Sequence, residues 1–445
     1  MATVTPAAKL LNFCKMAPII TVLINKFKKS DYLKAIAALL LGAGGAQLLG
    51  LLFMPVLTRC YTKDEFGLFA SYQAVVHIIF TVATLKYDSA VVLPKEADVA
   101  EALYRLARTL IFLLAIPLSL LLFLPLTYFE EYRGIEWYIL VGSIGLSCYT
   151  LAHYWYIRTA EFKKLSAVKF LQVLLVFLFQ LSCYYIYRAK GLILGSVLGV
   201  GISYLILEKY RMINPEAQKS ANWNLQKKAA LRYIDFPRYF CFSDLFASFS
   251  GRLPVLLLIS YASLAQIGIY DLANRVILVP VSLIGLSLGS AALSRMAQKR
   301  NLEEPLFSWY LKNFLGLLGI GVITAGAIIA FGKAACVWVF GHEWEEAGDL
   351  LIAMIPLFIA MIPSSLGNAA VRVFEKQKFM LIYTVITTLL KAGALLLMMR
   401  LHWVFTDIIL WYSILAGSVF LVNGLYFLKL IHQYDRNLMV NNNPI

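Results

Sequence analysis
The chain has 445 residues, of which 60% are apolar and 15% charged, with a mean hydropathy of +0.74. A soluble domain carries about 25% charged and about 45–50% apolar residues, so the composition excludes a water-soluble enzyme or binding module. The net charge of +15 would suggest nucleic acid in a soluble protein. Here most basic residues lie between apolar runs, which sets nucleic acid aside as a partner and puts the membrane first.

Residues 1–34 form a basic N-terminal segment. Its apolar patch, Met16 to Ile24, is short and has no convincing cleavage site before Lys26, Lys28 and Lys29, so it reads as a cytoplasmic extension and not as a signal peptide. A bilayer core takes about 20 apolar residues in a helix. Twelve segments qualify: 35–58, 67–93, 106–128, 135–157, 165–187, 191–207, 239–261, 267–293, 311–331, 350–373, 379–399 and 408–431. Helix is the expected form because lipid offers no partner to an unpaired backbone group. The shortest segment, 191–207, is rich in glycine. The expected fold class is therefore all-α, a polytopic membrane protein of about 12 transmembrane helices.

With the N-terminus cytoplasmic, the inside segments hold about 27 Lys and Arg and the outside segments about 7. This bias predicts cytoplasmic N- and C-termini. The longest inside loop, 208–238, lies near mid-chain and carries Pro215. It divides the chain into an N-terminal lobe, 35–207, and a C-terminal lobe, 239–431, followed by a cytoplasmic tail, 432–445. The halves share a short echo. Pro55 precedes Gly67-Leu-Phe-Ala-Ser-Tyr-Gln73, and Pro254 precedes Gly268-Ile-Tyr-Asp-Leu-Ala-Asn274. After each glycine come an aliphatic residue, an aromatic one, and a carboxamide six places on. Six spans per half make the repeats parallel, about an axis along the membrane normal.

A charge within a span costs about 2.5–3.5 kcal/mol on insertion scales and needs a reason. The basic ones are Lys86, Lys169, Arg252, Arg275, Lys312 and Lys391; the acidic ones are Asp88, Asp244 and Asp271. Pairing cannot neutralise that surplus, and an interior with excess positive charge suits a phosphate or pyrophosphate. Asp271 and Arg275, four apart, share a helix face, either as an ion pair that lets both insert or as an arginine that meets substrate. Asp244 and Arg252, eight apart, share a face with Ser248 between them. Lys86 and Asp88 fall near the cytoplasmic end of the second span, where Lys86 can snorkel; Lys169 and Lys312 are read as snorkelling. Lys391 is near mid-span and is read as functional. Pro254, Pro280, Pro356 and Pro363 can break helices.

The six cysteines form no CxxC and read as buried, inert thiols. His77 and His153 lack ligand spacing and read as core hydrogen-bonding groups; no metal or cofactor is expected. There is no P-loop, HExxH or GxSxG motif and no long outer loop for a catalytic domain.

Three stretches together resemble a known family. The first runs from Gly45-Ala-Gln-Leu-Leu-Gly50 through Pro55 and Gly67 to Lys86-Tyr-Asp88 and Pro94. The second is Tyr233-Ile-Asp-Phe-Pro237, Pro254 and Gly268 to Arg275 and Pro280. The third is Phe340-Gly-His-Glu-Trp344, Gly348, Pro356 and Glu375-Lys376-Gln377. They resemble the polysaccharide transporter family of the MOP flippase superfamily, the bacterial O-antigen and capsule flippases. The resemblance implies a MATE-like fold of two six-helix lobes in a V around a central cavity. It implies a flippase, not an enzyme, for undecaprenyl-pyrophosphate-linked oligosaccharide in the bacterial inner membrane. Membrane lipids, a polysaccharide polymerase and other glycan-assembly proteins are the implied partners. Lys86, Asp88, Arg252, Asp271, Arg275 and Lys391 are the candidate cavity residues, and Asp244 the candidate coupling acid. The alternatives are a MATE-like small-molecule extruder, and a membrane-embedded polymerase or glycosyltransferase.

Overall fold
The structure is a computed structural model that describes residues 31–124, 127–213 and 222–442. Most of the expected N-terminal extension, residues 214–221 of the expected inter-lobe loop and the last three residues lie outside the described part. The first lobe is built from α1 (Asp31–Cys60), α2 (Lys63–Ala83), α3 (Ala97–Leu120), α4 (Glu136–Arg158), α5 (Phe162–Tyr187) and α6 (Gly191–Ile213). A short helix, Trp223–Arg232, connects it to α7 (Cys241–Leu258), α8 (Leu264–Asn301) and α9 (Phe307–Phe340). Then come α10, in three pieces (Glu345–Ala353, Ile355–Met361 and Ser364–Val373), α11 (Gln377–Arg400) and α12 (Phe405–Asn442). Each of the twelve expected segments falls on one of these. Among the described residues, ten helical stretches are long and apolar enough by themselves to cross a membrane.

The ends differ from expectation for physical reasons. The second span was expected to run to residue 93, but α2 stops at Ala83, and Leu85 and Lys86 take positive φ (48° and 62°) before a short helix, Tyr87–Ala90. Left-handed backbone at non-glycine residues costs about 1–3 kcal/mol and persists only where neighbours impose it. Here Thr84 Oγ1 accepts from Lys86 N, Ser89 Oγ donates to Lys86 O, and Tyr87 OH donates to Ala230 O. At the other extreme, α12 has 38 residues, a length of ~57 Å at 1.5 Å per residue. It continues through most of the expected tail to Asn442. Hydropathy marks where lipid ends; the helix ends where a breaker or cap appears. In α10 the breaks fall at Pro356 and Pro363. Ser413 Oγ on α12 accepts from Leu357 N at 3.0 Å, so the break leaves that donor satisfied.

The faint repeat becomes concrete at the N-terminal ends of α2 and α8. Both helices begin with a capping box. Thr62 Oγ1 accepts from Glu65 N, and the Glu65 carboxylate accepts from Thr62 N. Ser263 Oγ accepts from Gln266 N, and Gln266 Oε1 accepts from Ser263 N. Five residues after each cap comes the glycine. A Cβ on Gly67 would fall on the Leu264 carbonyl, and a Cβ on Gly268 on the Lys63 carbonyl. The two parallel helices thus cross at reciprocal glycines, backbone against backbone. Around this crossing, Trp344 Nε1 donates to Thr58 O at 3.0 Å, Phe66 meets the Trp344 ring edge-on, and Lys63 pairs with Glu346 at 2.9 Å. These contacts close the end of the seam between the lobes at which α2 and α8 begin.

The lobes also meet further along. Gln47 on α1 accepts from Ser282 on α8 at 2.8 Å, Thr81 on α2 bonds Ser248 on α7 at 3.1 Å, and Lys86 pairs with Asp244 on α7 at 2.8 Å. Asp244 is half exposed, so its pair is worth about 0.2–1 kcal/mol. Asp244→Asn is therefore expected to loosen this end of the seam only a few-fold. The readout is alkylation of the native Cys241, a buried thiol next to Lys86 and Asp244. An unchanged alkylation rate would show that the pair does not hold the seam.

Candidate functional site between the lobes
The site starts from Arg275, one turn after Asp271 on α8. Its Nε donates to Asp271 Oδ2 at 2.6 Å, and its NH2 reaches across the seam to Gln73 Oε1 on α2 at 2.5 Å. The guanidinium lies over the Phe69 ring, 5.3 Å from the centroid. Gln73 is the carboxamide of the sequence echo. Its counterpart Asn274 turns instead into the C-terminal lobe, so the repeat is shared in backbone and broken in chemistry.

Arg275 lines a cavity of about 330 Å³ walled by α1, α2, α5, α6 and α8. Its second cation is Lys169 on α5, whose Nζ donates to Gln172 Oε1 at 3.1 Å and lies over the Tyr149 ring. Gln47, Gln73, Gln172 and Gln180 supply carboxamides, and Phe53, Phe66, Phe69 and Phe177 supply ring faces and edges. No Asp or Glu lines this cavity among the described residues. Two cations, amides and aromatic rings together suit an anionic headgroup with polar substituents. Lys169 is the residue that sequence reasoning missed. It was read as snorkelling, yet Gln172, three residues on and on the same face, was the available signal that this face meets a polar interior.

The other candidates sort elsewhere. Arg252 on α7 lies near Asp271, Arg275 and His77, and it has no ion pair or hydrogen bond among the described residues. Lys86 and Asp244 bind each other in the seam. Asp88 sits beneath them, 1% exposed, with Oδ1 unpartnered among the described residues. Lys391 lines a second cavity inside the C-terminal lobe, apart from Arg275. His77 Nδ1 bonds Gln73 O at 2.9 Å, which is a core hydrogen bond. Among the described residues no group of three or more metal-ligating side chains occurs.

A separate charged network is fully absorbed by packing. Arg211 on α6 bonds Glu101 on α3 and Glu208, both at 2.8 Å, and its guanidinium stacks over Tyr104, 3.9 Å from the ring centroid. Each charge there is paired, so it holds α3 to α6 and offers nothing to a ligand.

A family model described as "Polysaccharide biosynthesis protein" matches residues 32–299. The chain belongs to the polysaccharide biosynthesis protein family. The match takes in all of the first lobe and the helix that carries Arg275. Solved structures agree in fold. The chain is similar to the lipid II flippase MurJ in an inward closed conformation, with a TM-score of 0.70, 12% identity and coverage of 90% of each chain. It is similar to a multidrug resistance MATE family transporter of the MOP superfamily in an inward-facing conformation, with a TM-score of 0.64, 14% identity and coverage of 89% of this chain and 95% of that one. A MATE structure in complex with MaL6 gives a TM-score of 0.58 at 14% identity, covering 91% and 97%. A comparison with curated proteins found no match. This member of the polysaccharide biosynthesis protein family thus shares its fold with MurJ and MATE structures, and its described helices are long and apolar enough for a multi-pass membrane protein.

Proposed function
We propose that the protein is a flippase that carries an undecaprenyl-pyrophosphate-linked oligosaccharide, an O-antigen or capsule repeat unit, across the bacterial inner membrane by alternating access. The observation that carries this reading is the cavity that holds Lys169 and Arg275 and no lining carboxylate among the described residues. A pyrophosphate is the part of such a substrate with fixed negative charge. Lys169, half-buried and without an ion pair among the described residues, attracts it more strongly than a water-exposed cation would, while Arg275 is shared with Asp271. The amides and rings beside the cations can serve the sugar, while the polyprenyl tail remains in lipid. The cavity has the volume of a headgroup and not of a whole oligosaccharide. Family membership supports a glycan-related cargo, and the fold likeness to a lipid II flippase supports a lipid-linked one. An exporter of cations would need acids where this cavity has bases.

The orientation follows from the positive-inside bias, with both termini cytoplasmic. The closed seam at Gly67 and Gly268 is then the periplasmic side. Asp244 is half exposed and already paired, so coupling to a proton would run through breaking its bond to Lys86.

Deletion of the gene is expected to abolish surface glycan and to leave intact lipid-linked units on the cytoplasmic leaflet. Lys169→Gln, expressed at wild-type level, is expected to restore less than a tenth of the flux. Units that reach the periplasmic leaflet normally but stay unpolymerised would mean an enzyme and would end the flippase reading.

A further inference from the structure
The C-terminal lobe contains its own cavity of about 370 Å³, walled by α7, α8, α10, α11 and α12. The cation in its wall is Lys391, which is 7% exposed. Its Nζ donates to Ser250 Oγ on α7, and it has no ion pair among the described residues. No Asp or Glu lines the cavity among the described residues. A buried ammonium that lacks a counter-ion is costly unless another group neutralises or solvates it.

The rest of the wall is rich in donors. Tyr270 and Tyr412 are buried, line the cavity, and have no hydroxyl bond among the described residues. The side chains of Asn274 and Asn368 are likewise without a bond there. Tyr383 and Thr387 differ, because their hydroxyls donate to backbone carbonyls and are spent. An ammonium has three donor protons, and Ser250 takes one. Two phenols, these two amides and the remaining ammonium protons therefore line one cavity, together with Asn423, whose buried Oδ1 has no partner among the described residues.

We propose that this cavity is a binding site for a small inorganic anion of the halide class, with Lys391 as its counter-ion. The site is distinct from the cavity at Lys169 and Arg275. It lies within one lobe, its wall formed by helices of that lobe alone, and it shares no lining residue with the other cavity. Chloride bound there neutralises Lys391 and takes the free hydroxyl and amide protons. It also bridges α11, which carries Lys391, to α8 and α12, which carry the phenols. Ser250 is two residues from Ser248, the residue that bonds Thr81 across the seam, so occupancy of the site bears on the helix that zips the lobes together.

The test uses full-length protein in detergent or nanodiscs, with chloride or bromide exchanged for gluconate at constant ionic strength. The melting temperature is expected to rise with halide and saturate, and crystals grown in bromide are expected to show anomalous density beside Lys391. Lys391→Met is expected to abolish both. Tyr412→Phe, which removes one hydroxyl and keeps the packing, is expected to weaken halide affinity about fivefold to tenfold. A wild-type protein indifferent to halide would overturn the proposal and would mean that water alone fills the cavity. The same holds for a response that gluconate reproduces, or one that Lys391→Met and Tyr412→Phe both retain unchanged.

Discussion

Gly67→Leu is expected to force the two lobes apart at the end where α2 and α8 begin, and to stop the proposed transport while the protein still inserts and folds. A Cβ at this position lands on the carbonyl group of Leu264, which is backbone and cannot rotate away. Relief requires α2 and α8 to separate. Overpacking of this kind costs about 1–3 kcal/mol, which lowers the share of the form closed at this end by about 5-fold to 150-fold. Gly268→Leu is expected to behave alike, since its contact with Lys63 is the reciprocal one. Gly145→Ala is the control, because a Cβ there meets open space. Spin labels at Asp64→Cys and Glu343→Cys, both exposed and on opposite lobes, report the separation. A longer, broader distance distribution in Gly67→Leu is expected. A distribution identical to wild type would show that the glycine crossing does not hold this end of the seam.

The second large effect concerns Asp271 and Arg275. Arg275→Gln removes one partner of a pair whose carboxylate is 3% exposed. Breaking a buried pair from one side costs about 3–5 kcal/mol, because the charge left behind has no partner. The nearby Arg252 offsets part of this and places the loss at the lower end. Adding Asp271→Asn removes the orphan charge. The double variant is expected to recover most of the lost thermal stability. It is not expected to recover transport, because the cation in the Lys169 cavity is gone. Arg275→Lys keeps the charge but not the fork that holds Asp271 and Gln73 together, so partial flux is expected. A double variant that transports at the wild-type rate would assign Arg275 a structural role alone. It would move the headgroup reading onto Lys169.

Much of the architecture was legible in the chain. Each apolar run became a helix because a backbone in lipid has no other way to satisfy its groups. Of the four prolines read as possible breakers, Pro356 and Pro363 lie at interruptions, whereas Pro254 and Pro280 sit inside the continuous helices α7 and α8, so proline alone did not decide where a helix breaks. The glycine-to-carboxamide echo was legible too, from Gly67 to Gln73 and from Gly268 to Asn274. Its meaning was not. Sequence spacing cannot show that the two glycines touch, or that Gln73 bonds Arg275 while Asn274 faces another cavity. The site was legible only in its parts. Arg275 with Asp271 follows from spacing of four on one helix. Lys169 was misread because a lysine near a helix end can snorkel or turn inward, and only its neighbours decide.

The sequence by itself determined that this is an all-helical membrane protein with basic groups in excess inside its spans. Those properties depend on composition and local periodicity, which each segment carries alone. Tertiary structure decided which cations line the same space. It joined Lys169 to Arg275, paired Lys86 with Asp244, and set Lys391 apart in the second lobe. The physical reason is that lipid is as apolar as the protein core. A transmembrane helix therefore has no strong amphipathic stripe to declare which side faces its neighbours. That choice is made by packing between segments up to 200 residues and more apart, as between Gln73 and Arg275, 202 positions distant.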